Sequence, residues 1–277
     1  MDDKVYWLET PSEVGGRMRI NSIMYHDVVR SAAFASSGFA GAHADIYKLD
    51  ATLFEEHLKT LAADGISSLD AGRIDKDKLA RTVAITFDDG GESAYTVAAD
   101  LLERAGFRGH FFVATDFIDT DTFLKTRQIR ELHSRGHIIG SHSASHPTRM
   151  ANCTAEEMRR EWRTSTKKLA DITGEAITVA SVPGGYFSRH VAETAAESGI
   201  RVLFNSEPVT KVYDVNGCSV LGRFTMKQDT PAETVRRIAS GSMSYRLVQY
   251  AFWNTKKAAK NLGGELYLSL TRKYLAK

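Results

Sequence analysis

The sequence has few cysteines and no long apolar run. Cys153 and Cys218 are the only cysteines among 277 residues, which excludes a disulfide framework and favours two free thiols in a reducing compartment. No apolar run approaches the roughly 20 residues that a membrane-spanning helix needs. The first residues lack the basic start and apolar core of a secretion signal. These absences predict a globular protein of the cytoplasm.

The net charge of +2 is unevenly distributed. Residues 246–277 carry a net charge of +6, so the residues before them sum to −4 and give no indication of nucleic-acid binding. The basic segment also contains Tyr250, Phe252, Trp253, Tyr267 and Tyr274. Two interpretations stay open: a terminal helix docked on the domain with solvated lysines, which we favour, or peripheral contact with an anionic membrane at its inner face.

The length suits one large α/β domain. Short runs rich in Ile, Val and Phe alternate with helical patterns, which predicts a mainly parallel sheet with ligands at the carboxyl ends of its strands. Seven strands favour a distorted (β/α)7 barrel over residues 1–241, followed by a basic, aromatic-containing helical extension over residues 242–277. The candidate strands are Arg19–Tyr25, Val83–Phe87, Gly109–Val113, His137–Gly140, Ile177–Val182, Arg201–Phe204 and Ser219–Gly222.

Several local signals mark helix ends and loops. Residues 154–157 (Thr-Ala-Glu-Glu) predict a capping box for a helix that ends at Gly174. Residues 230–233 (Thr-Pro-Ala-Glu) predict a second capping box, with proline at the first helical position. The Ser-, Ala- and Gly-rich segment 31–43 predicts a loop over one end of the barrel.

Two adjacent carboxylates follow a predicted strand. Asp88 and Asp89 come directly after Val83–Phe87 and before Gly90. The chain bends here, so both carboxylates can reach one cleft although neighbours within a strand point to opposite faces. One carboxylate could hold a metal while the other accepts a proton. The alternative is a helix N-cap.

Two imidazoles follow another predicted strand. His142 and His146 lie four residues apart, and one turn of helix would place them on one face. Neutral imidazole is a good ligand for zinc, nickel, cobalt or iron. Together with a carboxylate, the pair is typical of an open divalent-metal site. His137 lies inside the apolar run and is interpreted as a core or supporting histidine.

These two motifs resemble those of the polysaccharide deacetylases (carbohydrate esterase family 4, the NodB-homology domain). They are Thr-Phe-Asp-Asp-Gly at 86–90 and His-Ser-x-x-His at 142–146, in this order and on strand ends. The resemblance covers about residues 19–225. It implies a distorted (β/α) barrel that removes acetyl groups from N-acetylated sugars. It further implies that Asp88 is the general base and that Asp89, His142 and His146 hold a divalent metal, with zinc favoured over cobalt or nickel.

Two further elements resemble family motifs. Residues 181–186 (Ser-Val-Pro-Gly-Gly-Tyr) are similar to a proline–tyrosine loop, which implies that the Tyr186 amide stabilises the oxyanion; an ordinary turn is the alternative. Residues 23–27 (Ile-Met-Tyr-His-Asp) are similar to the family's acid motif, moved to the front of the chain as in permuted members. This implies that His26 protonates the leaving amine, with Asp27 orienting it or lining the site. The alternative is a satisfied histidine at a strand end.

The chain departs from the family at Ser181, where an arginine normally holds the base; Arg223 and Arg149 are the candidates to replace it. The family's tryptophan-bearing acidic motif is not evident, so binding of the acetyl methyl group is unassigned. The expected function is metal-dependent removal of N-acetyl groups from a polysaccharide or glycan precursor. The alternatives are an amidohydrolase acting on a small-molecule C–N bond, as in allantoinases, and a non-catalytic glycan-binding protein.

Overall fold

The computed structural model describes residues 18–75 and 79–242. Strands and helices alternate along this part of the chain, as the sequence predicts. The strands are β1 Ser22–Tyr25, β2 Val28–Val29, β3 Leu49–Asp50, β4 Ser67–Ser68, β5 Thr82–Phe87, β6 His110–Val113, β7 Ile138–Ser141, β8 Val179–Ser181, β9 Val202–Phe204, β10 Tyr213–Val215, β11 Cys218–Leu221 and β12 Phe224–Thr225. The helices are α1 Ala42–Asp45, α2 Ala51–Ala63, α3 Ala99–Arg104, α4 Thr126–Ser134, α5 Ala155–Thr173, α6 Arg189–Glu197 and α7 Ala232–Ala239, and a π-helical segment at Ala94–Ala98 leads into α3.

One large sheet forms the centre of the fold. Its strand order is β10-β11-β9-β8-β7-β6-β5-β1-β12, with β4 added beside β5. All pairs are parallel except β10 with β11. The seven strands predicted from the sequence correspond to β1, β5 to β9 and β11.

The sheet curls because its two ends are joined by a very short connection. Strand β11 lies near one edge and β12 at the other, yet only Gly222 and Arg223 separate them. Three Cα steps span at most about 11 Å, so the two edges must approach each other. Across the same opening, the Ile20 amide donates to the Thr210 carbonyl at 2.8 Å. The predicted distorted barrel is confirmed as a curled, incompletely closed parallel sheet.

Alternation along β5 decides which side chains face the barrel interior. Val83, Ile85 and Phe87 pack with the helices in the largest core cluster, whereas Ala84 belongs to a separate cluster. That second cluster contains side chains from several strands, including β6, β8 and β9, and fills the inside of the barrel. Positions 84, 86 and 88 therefore share the inward face, which directs Asp88 toward the interior at the carboxyl end of β5.

Two helix-start predictions have different outcomes. The capping box of α5 is confirmed: Thr154 accepts from the Glu157 amide, the Glu157 carboxylate accepts from the Thr154 amide, and the helix ends at Gly174 with φ of 79°. The prediction of a capping box before α7 is wrong. Pro231 occupies the N-cap position of α7, and the Thr230 hydroxyl instead accepts from the Lys227 amide.

The predicted helical extension and the basic segment 246–277 lie outside the described residues, so the domain boundary at 241 stays a prediction. Within residues 18–75 and 79–242, no helix has the length and apolar character to span a bilayer.

Candidate metal centre

Three side chains from two strand ends converge on one point. Asp89 Oδ1 lies 3.4 Å from His142 Nε2 and 3.3 Å from His146 Nε2. All three ligand atoms lie within 4.8 Å of one another. Zinc bound at about 2.05 Å would separate tetrahedral ligand atoms by about 3.3 Å. The two carboxylate–imidazole distances fit this value, so the donor set fits a borderline-soft divalent cation such as zinc, cobalt or nickel.

The site opens to solvent on one side. The His142 side chain is 2% exposed, whereas those of Asp89 and His146 are 13% and 21% exposed. A cation held here would therefore be reachable from the side of Asp89 and His146. A three-ligand cluster with an accessible side is typical of catalytic rather than structural zinc sites.

Two of the three candidate ligands, and one residue of the loop between the histidines, have strained backbone conformations. Asp89, Ser143 and His146 have φ values of 73°, 66° and 57°. Each such conformation costs on the order of 1 kcal/mol for a residue other than glycine. At Asp89 the left-handed conformation turns the chain after β5, which brings its carboxylate into the cleft that Asp88 already faces.

The loop between the two histidines is irregular, and the predicted turn of helix at 142–146 is wrong. The amides of Ala144 and Ser145 do not form the hydrogen bonds of a helix. They donate to the carboxylate of Glu161 in α5, at 3.0 and 2.8 Å. Sequence reasoning missed Glu161. The available signal was a carboxylate on the buried face of α5, directly beside Trp162.

The charges in the cluster favour a ligand-ready carboxylate. Burial raises the pKa of Asp89, but hydrogen bonds from His142 and His146 and the charge of His26 outweigh burial and hold the pKa well below its usual value. Burial lowers the pKa of His146, but Asp89 more than compensates and the net pKa is raised. Asp89 is therefore ionised across the physiological pH range.

Ser181 connects the ligand cluster to Asp88. Its hydroxyl donates to Asp88 Oδ1 at 3.1 Å and lies 2.5 Å from His142 Nδ1. Because the hydroxyl proton points to Asp88, the Ser181 oxygen accepts from His142 Nδ1–H. That tautomer leaves the lone pair of His142 on Nε2, the atom that faces Asp89.

Of the two arginines considered for the base, Arg223 makes the contact. Its Nη1 and Nη2 donate to Asp88 Oδ1 and Oδ2 at 2.6 and 2.8 Å, and its Nε donates to the Asn205 carbonyl at 3.0 Å. The residue is fully buried. Burial raises the pKa of Asp88, but the charges of Arg223 and His142 outweigh it, so the pKa lies below its usual value. Arg149 instead places its guanidinium 4.9 Å from the centroid of the Tyr186 ring.

The proline–tyrosine loop packs against the segment that follows His146. Pro183–Gly185 form one 3₁₀ turn that ends at Tyr186. Gly184 has φ of 65°, and a Cβ there would lie 2.3 Å from the Thr148 carbonyl oxygen, so this close approach requires glycine. Tyr186 is thus held beside the histidine loop, and its role in oxyanion stabilisation stays a prediction.

His26 follows β1, which lies between β5 and β12 in the sheet. Tyr25 pairs with Phe87 in the parallel register, so His26 lies level with Asp88 at the carboxyl ends of the two strands. Its charge contributes to the lowered pKa of both Asp88 and Asp89. Its ring lies 4.9 Å from the Tyr47 ring, and its buried Nδ1 has no hydrogen-bond partner in the described part of the chain. Asp27 forms no hydrogen bond to His26. The Asp27 carboxylate instead accepts from the hydroxyls of Ser37 and Ser93.

Comparison with known proteins agrees with this arrangement. Residues 75–203 match the family model described as polysaccharide deacetylase. The chain is 31% identical over 126 residues to the peptidoglycan-N-acetylmuramic acid deacetylase PdaA of Bacillus subtilis, covering 45% of this chain and 46% of PdaA. It is 24% identical over 213 residues to the putative polysaccharide deacetylase YxkH of the same organism, covering 75% and 70% of the two chains. The chain therefore spans about half the length of PdaA.

A solved structure shares the fold. The Streptococcus pyogenes deacetylase PplD in complex with acetate superposes with a TM-score of 0.67 at 19% identity, covering 79% of this chain and 96% of PplD. In this barrel, the Asp-His-His cluster and the second buried carboxylate lie together at the carboxyl ends of the strands. The family match over residues 75–203 and the similarity to PdaA confirm the predicted resemblance to the polysaccharide deacetylases.

Proposed function

We propose that this protein is a metal-dependent hydrolase that removes N-acetyl groups from an acetamido sugar in a polysaccharide or glycan precursor. The observation that carries the proposal is the convergence of Asp89, His142 and His146 beside the separately held Asp88. Asp88 Oδ2 lies 3.9 Å from His142 Nε2, so the proposed base adjoins the ligand cluster. PdaA and PplD, named as deacetylases, support the same reaction class.

The four groups divide the work. Asp89, His142 and His146 would hold the cation, which when bound would polarise the acetyl carbonyl and acidify a water molecule. Asp88 accepts the proton of the attacking water, since Arg223 and Ser181 fix its carboxylate and keep it ionised.

The remaining steps need a donor to the oxyanion and an acid for the leaving amine. We assign these to the Tyr186 amide and to His26, respectively. The unbonded Nδ1 of His26 supports the second assignment, because no hydrogen bond in the described part of the chain commits the ring to a structural role. The cytoplasmic location and the contact of residues 246–277 with a membrane remain predictions from the sequence.

Metal removal tests the proposal. We expect the purified protein to release acetate from at least one member of a panel of N-acetylated oligosaccharides. Dialysis against a chelator should lower the rate by more than about a hundredfold, and added zinc, cobalt or nickel should restore it. The measurement is acetate release by coupled enzymatic assay.

Two results would contradict the proposal. Full activity after chelation would exclude the metal mechanism. Hydrolysis of a cyclic ureide such as allantoin, with no acetate from any sugar, would favour the small-molecule amidohydrolase instead.

A further inference from the structure

Three polar side chains of α5 face the loop that carries the two candidate histidine ligands. Glu161, Ser165 and Lys168 follow one another at spacings of four and three residues, which places them on one face of the helix. Glu161 is 9% exposed and Ser165 is fully buried. We call these three residues the polar stripe, and residues 141–146 the histidine loop. Each member of the stripe bonds to the histidine loop or to the segment beside it.

Glu161 holds the middle of the histidine loop. Besides accepting from the amides of Ala144 and Ser145 through Oε2, its carboxylate accepts from the Ser145 hydroxyl through Oε1 at 2.8 Å. A buried carboxylate is costly unless hydrogen bonds replace its hydration, so the loop and the carboxylate stabilise each other. Ala144 is 5% exposed, so its amide depends on this acceptor.

The other two members of the stripe hold Ser143, the residue after the first histidine. The Ser141 hydroxyl donates to the Ser165 hydroxyl at 2.8 Å and accepts from the Ser143 amide at 3.1 Å. The Lys168 ammonium donates to the Thr115 carbonyl at 2.7 Å, and the Thr115 amide donates to the Ser143 carbonyl at 3.2 Å. Both backbone groups of Ser143 are therefore connected to α5 through one intermediate residue.

The histidine loop needs this support because it is strained. The left-handed conformations of Ser143 and His146 persist in residues other than glycine only where neighbouring groups fix them. Inside the loop, the Ser143 hydroxyl accepts from the His146 amide at 3.1 Å. Glu161 restrains residues 144 and 145, which lie between the two strained positions.

We propose that Glu161 is a positioning residue for the cation. By fixing the backbone between His142 and His146, it keeps the two imidazoles at ligand spacing before a cation binds, so that binding does not have to order the loop. The inference rests on the proposed function, because it concerns the cation that the proposed chemistry requires. Groups that orient metal ligands from outside the ligand set typically change metal affinity by about 10- to 100-fold when they are removed.

The zinc affinity of Glu161→Ala tests the proposal. We expect the zinc dissociation constant, measured by competition with a chromophoric chelator, to rise by about tenfold to a hundredfold. Glu161→Gln keeps a carbonyl acceptor for the two loop amides and should lose less affinity than Glu161→Ala. Glu157→Ala is the matched control. It removes a carboxylate of the same helix that caps the helix start, so it should lower stability but leave zinc affinity unchanged.

Cobalt gives a second readout, which a general loss of stability would not change. The visible absorption of bound cobalt depends on the number and geometry of its ligands. At saturating cobalt, the spectrum of Glu161→Ala should therefore differ from that of the wild type, whereas the spectrum of Glu157→Ala should match it. Thermal unfolding of the metal-free proteins identifies the variants that are folded.

The outcomes distinguish this proposal from the proposed function. Wild-type zinc affinity and an unchanged cobalt spectrum in folded Glu161→Ala would overturn the positioning role and leave the proposed function intact. An equal loss of affinity in Glu157→Ala would also overturn it, since the stability of α5 would then determine affinity. If the wild type binds zinc but releases acetate from no sugar, the proposed function fails, and the zinc affinities still decide the role of Glu161. If Glu161→Ala does not fold, Glu161→Gln decides: weakened zinc binding upholds the role and unchanged binding overturns it.

Discussion

Asp88→Asn is expected to lower kcat for acetate release by about a thousandfold while the protein still binds its cation. A general base contributes roughly 10²- to 10⁴-fold, and asparagine cannot accept the proton. Metal binding should persist because the ligand atoms belong to Asp89, His142 and His146 rather than to Asp88. The measurements are steady-state acetate release and zinc content of the same preparation.

This substitution also leaves the buried Arg223 guanidinium without its carboxylate, so lower stability could obscure the result. The double variant Asp88→Asn/Arg223→Met removes the unpaired charge. We expect it to recover thermal stability relative to Asp88→Asn without recovering activity. Wild-type rates in a folded, zinc-loaded Asp88→Asn protein would remove Asp88 from the role of base.

Arg223→Met is expected to have the second largest effect, on both stability and pH dependence. Removing one partner of a buried ion pair costs about 3–5 kcal/mol in free energy of unfolding. Without the guanidinium, burial raises the pKa of Asp88 and only His142, His26 and the Ser181 hydroxyl oppose it. The variant base therefore binds its proton at higher pH, and the acidic limb of the kcat/KM profile should move to higher pH.

The Asp88–Arg223 pair also determines how the loss of stability in Arg223→Met depends on pH. In the wild type, the lowered pKa of Asp88 contributes stability that is present above the pKa of the unfolded carboxyl and is lost as pH falls through the folded value. The variant should therefore lose most stability at neutral pH and least in strong acid. Urea unfolding at several pH values measures this difference.

Arg149→Met provides the matched control for Arg223→Met. It removes the same charge from the arginine that stacks on Tyr186 and makes no contact with Asp88 in the described residues. The acidic limb of the kcat/KM–pH profile of Arg149→Met should coincide with that of the wild type. If both variants shift the limb equally, the effect is a general loss of positive charge and the specific support of Asp88 by Arg223 is excluded.

The sequence contains most of the information needed for the fold. Runs of Ile, Val and Phe identify the seven main strands, because strands covered on both faces must be apolar throughout. Thr154 and Glu157 identify the start of α5, since capping is a local interaction. The start of α7 could not be read in the same way, because Pro231 takes the N-cap and draws Thr230 out of the helix.

The candidate site was predictable in its residue types but not in its supporting geometry. Asp89 and the two histidines follow strands that end at the same edge of the sheet, so their proximity follows from the parallel order. The path between His142 and His146 depends on Glu161, a side chain from a distant helix. Arg223 reaches Asp88 only because the sheet edges meet at Gly222 and Arg223, which no local pattern reveals.

Zinc content per chain, in the wild type and three single variants, tests most directly whether Asp89, His142 and His146 form one cation site. We expect about one zinc per wild-type chain and close to none in Asp89→Asn, His142→Gln or His146→Gln, with His133→Gln unchanged as a control. Full zinc occupancy in folded variants lacking any of these three ligands would contradict the shared site and, with it, the proposed chemistry.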